Sequence, residues 1–77
     1  MSPRLTVETV EIERFIATAC AIVKAQGPRG GPQEWAVDFD RRGNIKSAVR
    51  LAPSYGFYAP EGIPEEIAKA ARSAWTA

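Results

Sequence analysis

Histidine is absent from this chain, and cysteine occurs once, at Cys20. Without histidine, the commonest general base and the commonest metal ligand are missing. A lone cysteine closes no intrachain disulfide, which sets aside the stapled secreted scaffold and leaves a structural zinc site short of ligands. Long apolar runs are also absent. The longest, "FIATACAIV" at 15–23, falls well short of the ~20 residues that span a bilayer, and three glutamates precede it, unlike a signal peptide. Neither sign of charge is in excess. Ten basic residues stand against nine acidic ones, a net +1, where a nonspecific nucleic-acid binder normally carries a clear basic surplus. The expectation is a cytoplasmic protein with no cofactor, no metal and no membrane association.

What is present is an ordinary globular composition, 45% hydrophobic and 25% charged over 77 residues. That fits a single small domain over 1–77, near the lower size limit for folding on one core. Residues 6–26 read as an amphipathic helix. Ile12, Phe15, Ile16, Ala19, Cys20 and Val23 recur at spacings of three and four, the mark of one buried stripe. Glu8, Glu11 and Glu13 near its start and Lys24 near its end suit the helix dipole, and Gly27-Pro28 ends it. The start is ambiguous, because "RLTVETVEI" (4–12) also alternates enough for a short strand.

"GPRGGP" at 27–32 is a connector. "QEWAVDFDRRGNIKSAVRLA" then reads as a β-hairpin, with Trp35, Val37 and Phe39 alternating before "DRRGN" and Ile45, Val49 and Leu51 after it. A three-residue loop with glycine in the left-handed position sets Asp40 opposite Asn44 and Phe39 opposite Ile45. Continued without interruption, that register pairs Val37 with Ser47 and Trp35 with Val49 on one face. On the other it pairs Asp38 with Lys46 and Glu34 with Arg50. Tyr55–Tyr58 has room to be a short third strand, with Phe57 inside and at least one tyrosine exposed. Pro64, Glu65 and Glu66 then open a C-terminal helix whose Ile67, Ala70, Ala71, Ala74 and Trp75 form its apolar face. The fold class expected is α+β: N-terminal helix, antiparallel hairpin and C-terminal helix, both helices packed on one face of the sheet.

Catalytic parts are hard to assemble from these residues. Cys20 sits on the apolar stripe as a small hydrophobe, and the carboxylate pairs lie at helix starts. The candidate contact residues are therefore Arg41 and Arg42, at a projecting hairpin tip with no sheet partner, together with Tyr55 and Tyr58 in the aromatic segment. The order helix, sheet, Ala-rich helix resembles a double-stranded-RNA-binding domain. That resemblance is in order alone: such domains begin their last helix with basic residues, and here it begins Pro64-Glu65-Glu66. In size, the chain resembles small phage-encoded proteins that block host defence complexes, anti-CRISPR proteins among them. The function expected is a non-catalytic protein-binding module, an inhibitor or adaptor acting by steric block. The alternative is nucleic-acid binding through the basic tip. A homodimer through an uncovered sheet edge is compatible with either.

Overall fold

The computed structural model describes residues 5–77. Five strands, β1 (Thr6–Arg14), β2 (Ala19–Gln26), β3 (Pro32–Phe39), β4 (Ile45–Ala52) and β5 (Gly56–Tyr58), form one antiparallel meander in the order β1-β2-β3-β4-β5. A 3-10 turn (Pro60–Gly62) leads into one helix, α1 (Glu65–Thr76), which lies against β1 and β2 and touches β3. The expected helix–hairpin–helix arrangement is thereby overturned, since residues 6–26 form a β-hairpin and the chain is mostly sheet. Arg4, where the ambiguous segment begins, lies outside the described residues.

Why strands form here is visible in two properties of the segment. Nine of its 21 residues are Thr, Val or Ile, whose branched Cβ fits a pleated sheet better than a helix. The spacing of three between Val7 and Val10 mimics a helical stripe, but a bulge at Glu8 produces it. Val7 pairs with Ala25 and Thr9 with Lys24, so Glu8 is the extra residue. One inserted residue shifts the strand's parity, and Val7, Val10 and Ile12 all turn towards the core. Phe15 and Ile16, expected in a buried stripe, instead form the β1–β2 turn. The Phe15 N–H donates to the Thr18 carbonyl (2.8 Å), and both side chains are exposed.

The β3–β4 turn is as expected. The Asp40 N–H donates to the Asn44 carbonyl (2.9 Å), Gly43 takes φ 86°, and Phe39 pairs with Ile45. Beyond that pair the register departs from expectation, because Lys46 forms a second bulge. Asp38 then faces Ser47, Val37 faces Ala48, Ala36 faces Val49 and Trp35 faces Arg50, so neither expected charge pair forms. The shift exchanges an inward Ser47 hydroxyl for the methyl of Ala48, which is fully buried. A hydroxyl there would need a partner inside the core. Ala48 also leaves volume beside it, where the Trp35 and Tyr58 rings meet with centroids 4.9 Å apart.

The core lies between α1 and one face of the sheet. Ala19, Ala21, Val23 and Ala25 supply a small-residue floor on β2, with Trp35, Val37 and Phe39 beside it. Ile67, Ala68 and Ala71 press onto it from α1. Small side chains on both surfaces let helix and sheet approach closely. Trp75 closes the end of the helix: its ring lies 5.2 Å from that of Phe39 and against Gly43.

Candidate functional site

With α1 on one face, the other face of the sheet has no covering element among the described residues. The pairings set its side chains in transverse rows. The central row runs Glu11, Ile22, Ala36, Val49, Phe57, each directly opposite the next. From Ile22 to Phe57 it crosses three strand gaps, roughly 14 Å of apolar surface. Phe57 ends the row 70% exposed, and Leu51, at a third bulge in β4, and Tyr55 are exposed nearby. The rows on either side are polar: Glu13, Cys20, Asp38, Ser47 on one and Thr9, Lys24, Glu34, Ala52 on the other. At its paired positions this face carries four carboxylates and one ammonium.

Cys20 lies on that face and not in the core. Burial, then the neighbouring Asp38 and Glu13, push its thiol up to about 11. It therefore stays protonated near neutrality and is a poor nucleophile. Among the described residues, no three His, Cys, Asp or Glu side chains gather as a metal site would require.

The two tyrosines separate. Tyr58 pairs with Ala48 on the helix-side face, is half-buried against Trp35, and has the Arg50 guanidinium 5.8 Å from its ring. Arg50 is held there by the Ser54 carbonyl and hydroxyl, both at 3.0 Å. Phe57, expected in the core, faces out. Both placements follow from the Lys46 bulge: once Val49 points outward, its partner Phe57 must do the same and Tyr58 turns in. Tyr55 is the tyrosine that faces water.

A second cluster occupies one end of the sheet. In a meander, the first and third turns project from the same end, so Phe15–Thr18 and the Arg41/Arg42 turn are neighbours. The Arg14 guanidinium lies 4.9 Å from the Trp75 ring and its Nη2 donates to the Trp75 carbonyl at 2.6 Å. Arg14, Arg41, Trp75 and Thr18, rimmed by Phe15 and Ile16, enclose a cleft of about 100 Å³. The Asp40 carboxylate braces the third turn, accepting from the Asn44 N–H (3.0 Å) and the Arg42 N–H (2.8 Å). These hydrogen bonds hold its pKa below the usual carboxylate value.

The four residues expected to make contact thus do not form one site. Arg41 joins Arg14 at one end of the sheet, Tyr55 stands beside the β4–β5 turn at the other, and Tyr58 supports the core. Sequence reasoning passed over Ile22, Val49 and Phe57 on the open face and Arg14, Phe15 and Ile16 at the tip. Of these, Phe57 was expected in the core and Phe15 and Ile16 in a buried helical stripe. No protein family, no curated protein and no solved structure matches the chain.

Proposed function

We propose that this chain is a non-catalytic protein-binding module whose contact surface is the open face of the sheet. The observation that carries this reading is the uncovered row Ile22–Ala36–Val49–Phe57, with Phe57 70% exposed at its end. An aromatic side chain at the end of a rigid apolar row has the character of an interface anchor, where removal from water stabilises most. Glu11, Glu13, Glu34 and Asp38 around the row make a basic rim on the partner the electrostatic complement. They also repel a phosphate backbone, which favours a protein over nucleic acid at this face. The absence of histidine and the protonated thiol of Cys20 support a role in binding. A sheet held rigid by α1 acts sterically, covering a surface its partner needs, as an inhibitor or adaptor does.

The test is capture from nuclease-treated lysate of the native host, comparing the wild-type chain with Phe57→Asp and Val49→Asp. Both positions lie on the open face, outside the core, and an unchanged circular dichroism spectrum of each variant verifies that folding is preserved. A defined protein retained by the wild type and lost from both variants is the expected result. Equal retention by all three refutes the open-face reading. The second reading, nucleic-acid binding at the tip, gains from one observation: Arg14 joins Arg41 and Arg42 there. It predicts that retained material disappears with nuclease.

A further inference from the structure

We infer that the cleft between the β1–β2 and β3–β4 turns is a receptor for one carboxylate side chain of the partner, seated beside an apolar residue of that same partner. The inference rests on the protein-binding reading, but it concerns a different surface, at the end of the sheet and not on its open face.

The first ground is the chemistry of the lining. Arg14 and Arg41 bring two guanidinium groups to a space of about 100 Å³, a few water volumes, which suits the end of one acidic side chain. Arg14 is pre-positioned: its Nη2 is held by the Trp75 carbonyl and its plane lies by the indole. Of its five N–H donors, those not used on Trp75 remain for an incoming oxygen. Arg41 is exposed and its guanidinium makes no hydrogen bond among the described residues. A carboxylate between them would accept charge-assisted hydrogen bonds from a group already held in place, which reduces the ordering cost of binding.

The second ground is the rim. Ile16 is fully exposed and Phe15 more than half exposed, an apolar pair at a turn tip directly beside the two arginines. A phosphodiester backbone gives Ile16 nothing to pack on. A polyanion or a charged plane would also run onto Glu13 and Asp38, whose row ends at this corner of the open face. One carboxylate followed by one aliphatic side chain meets the arginines and Ile16 and avoids those acids. The neighbouring carboxylate of the chain itself, Asp40, already accepts from two backbone N–H groups within its own turn.

The probe is the dipeptide acetyl-Glu-Leu-amide, titrated into the full ¹⁵N-labelled chain, with acetyl-Gln-Leu-amide, inorganic phosphate and a short single-stranded oligonucleotide as comparisons. The readout is the indole N–H of Trp75, with that of Trp35 as an internal reference for the fold. The expected result is a saturable shift of Trp75 and of the Thr18 amide with the Glu dipeptide, on the order of 1–10 mM. The Gln dipeptide should bind at least about 10-fold more weakly, and Arg41→Glu should lose the shift while Trp35 stays in place. Ile16→Ser should weaken the Glu dipeptide but leave phosphate unaffected. An unmoved Trp75, equal shifts from Glu and Gln dipeptides, or tighter saturation by phosphate or the oligonucleotide each overturns the assignment. No partner from lysate is needed, so failure of the cleft and failure of the open face are separately visible.

Discussion

Gly30→Ala and Gly43→Ala make the same change at the same backbone conformation in two different surroundings. Both glycines have positive φ, 80° and 86°, where a Cβ costs about 1–2 kcal/mol. At Gly30 nothing lies within 4 Å of the added methyl, and the backbone term is the whole effect. At Gly43 the methyl would fall 2.5 Å from Trp75 Cε2 and closer still to Nε1. The ring has little room to yield, being bracketed by Phe39 and Arg14, so it must leave its seat. Losing its stacking and part of its burial adds about 1–3 kcal/mol. A chain of this length holds roughly 4–12 kcal/mol in all, so Gly43→Ala removes a large share of it. Urea unfolding followed by circular dichroism reads the difference. With a slope of about 1 kcal/mol/M, the midpoint falls about 1–2 M for Gly30→Ala and about 2–5 M for Gly43→Ala. In a Trp75→Ala background the cost of Gly43→Ala should fall to that of Gly30→Ala, because the coupling is gone. Equal midpoints for the two single variants would refute the seating of Trp75 on Gly43.

Three further outcomes follow from the side-chain environments. Tyr58→Ala should destabilise by about 1–3 kcal/mol through loss of the Trp35 contact, while Phe57→Ala and Tyr55→Ala stay within about 0.5 kcal/mol of wild type in the same urea assay. The Cys20 thiol, raised from 9.0 to about 11, should react with a disulfide reagent at pH 8 about 10-fold more slowly than a free thiol, its roughly 100-fold smaller thiolate fraction being partly offset by the greater nucleophilicity of a more basic thiolate. A raised folded-state pKa means that this contribution to stability is complete below pH 9 and is lost as pH climbs through about 11, measurable as a falling melting temperature. Asp40 is the opposite case: its pKa is lowered by the Asn44 and Arg42 amides, so its contribution is present above the ordinary carboxylate pKa and lost as pH drops through the folded value. Asp40→Ala should speed hydrogen exchange at the Arg42 and Asn44 amides at neutral pH and leave it unchanged in strong acid.

The parts of the fold legible in the sequence are those governed by local chemistry. "DRRGN" announces a turn because only glycine sits easily at φ 86°, and Pro64-Glu65-Glu66 announces a helix start. What misled was parity. Glu8 and Lys46 are each one residue inserted into a strand, and an inserted residue turns a spacing of two into three without any local marker. The first puts Val7 and Val10 three apart; the apparent helical stripe from Ile12 to Val23 has another source, the exposed Phe15–Ile16 turn between two strands. The second exchanged the two faces of β4, and with them the places of Phe57 and Tyr58. The bulge at Lys46 therefore reversed the reading of the aromatic segment: the residue assigned to the core is exposed, and one tyrosine assigned to a partner packs on Trp35. Neither bulge is marked by glycine, so only the pairing across strands reveals them.

The net charge of +1 conceals a division that this parity creates. The open face has four acidic paired positions against one basic, while the other described positions have eight basic side chains against five acidic ones. Had β1 been a helix, Glu11 and Glu13 would have stood apart from Glu34 and Asp38, which lie on another element. Pairing β1 with β2 and β2 with β3 sets all four around one apolar row. The arginines are sorted by the same topology, since a meander sends its first and third turns to one end and so carries Arg14 to Arg41 and Arg42. A near-neutral composition therefore argues against a uniformly basic binder but says nothing against two opposed patches. On the protein-binding reading proposed above, such a pair would orient an approaching protein, with its basic rim towards the sheet and its acidic side chain towards the tip, before the apolar row makes contact. A homodimer through the open face would bring those four carboxylates against their own copies, so the arrangement that suits a basic partner also keeps two copies of this face apart.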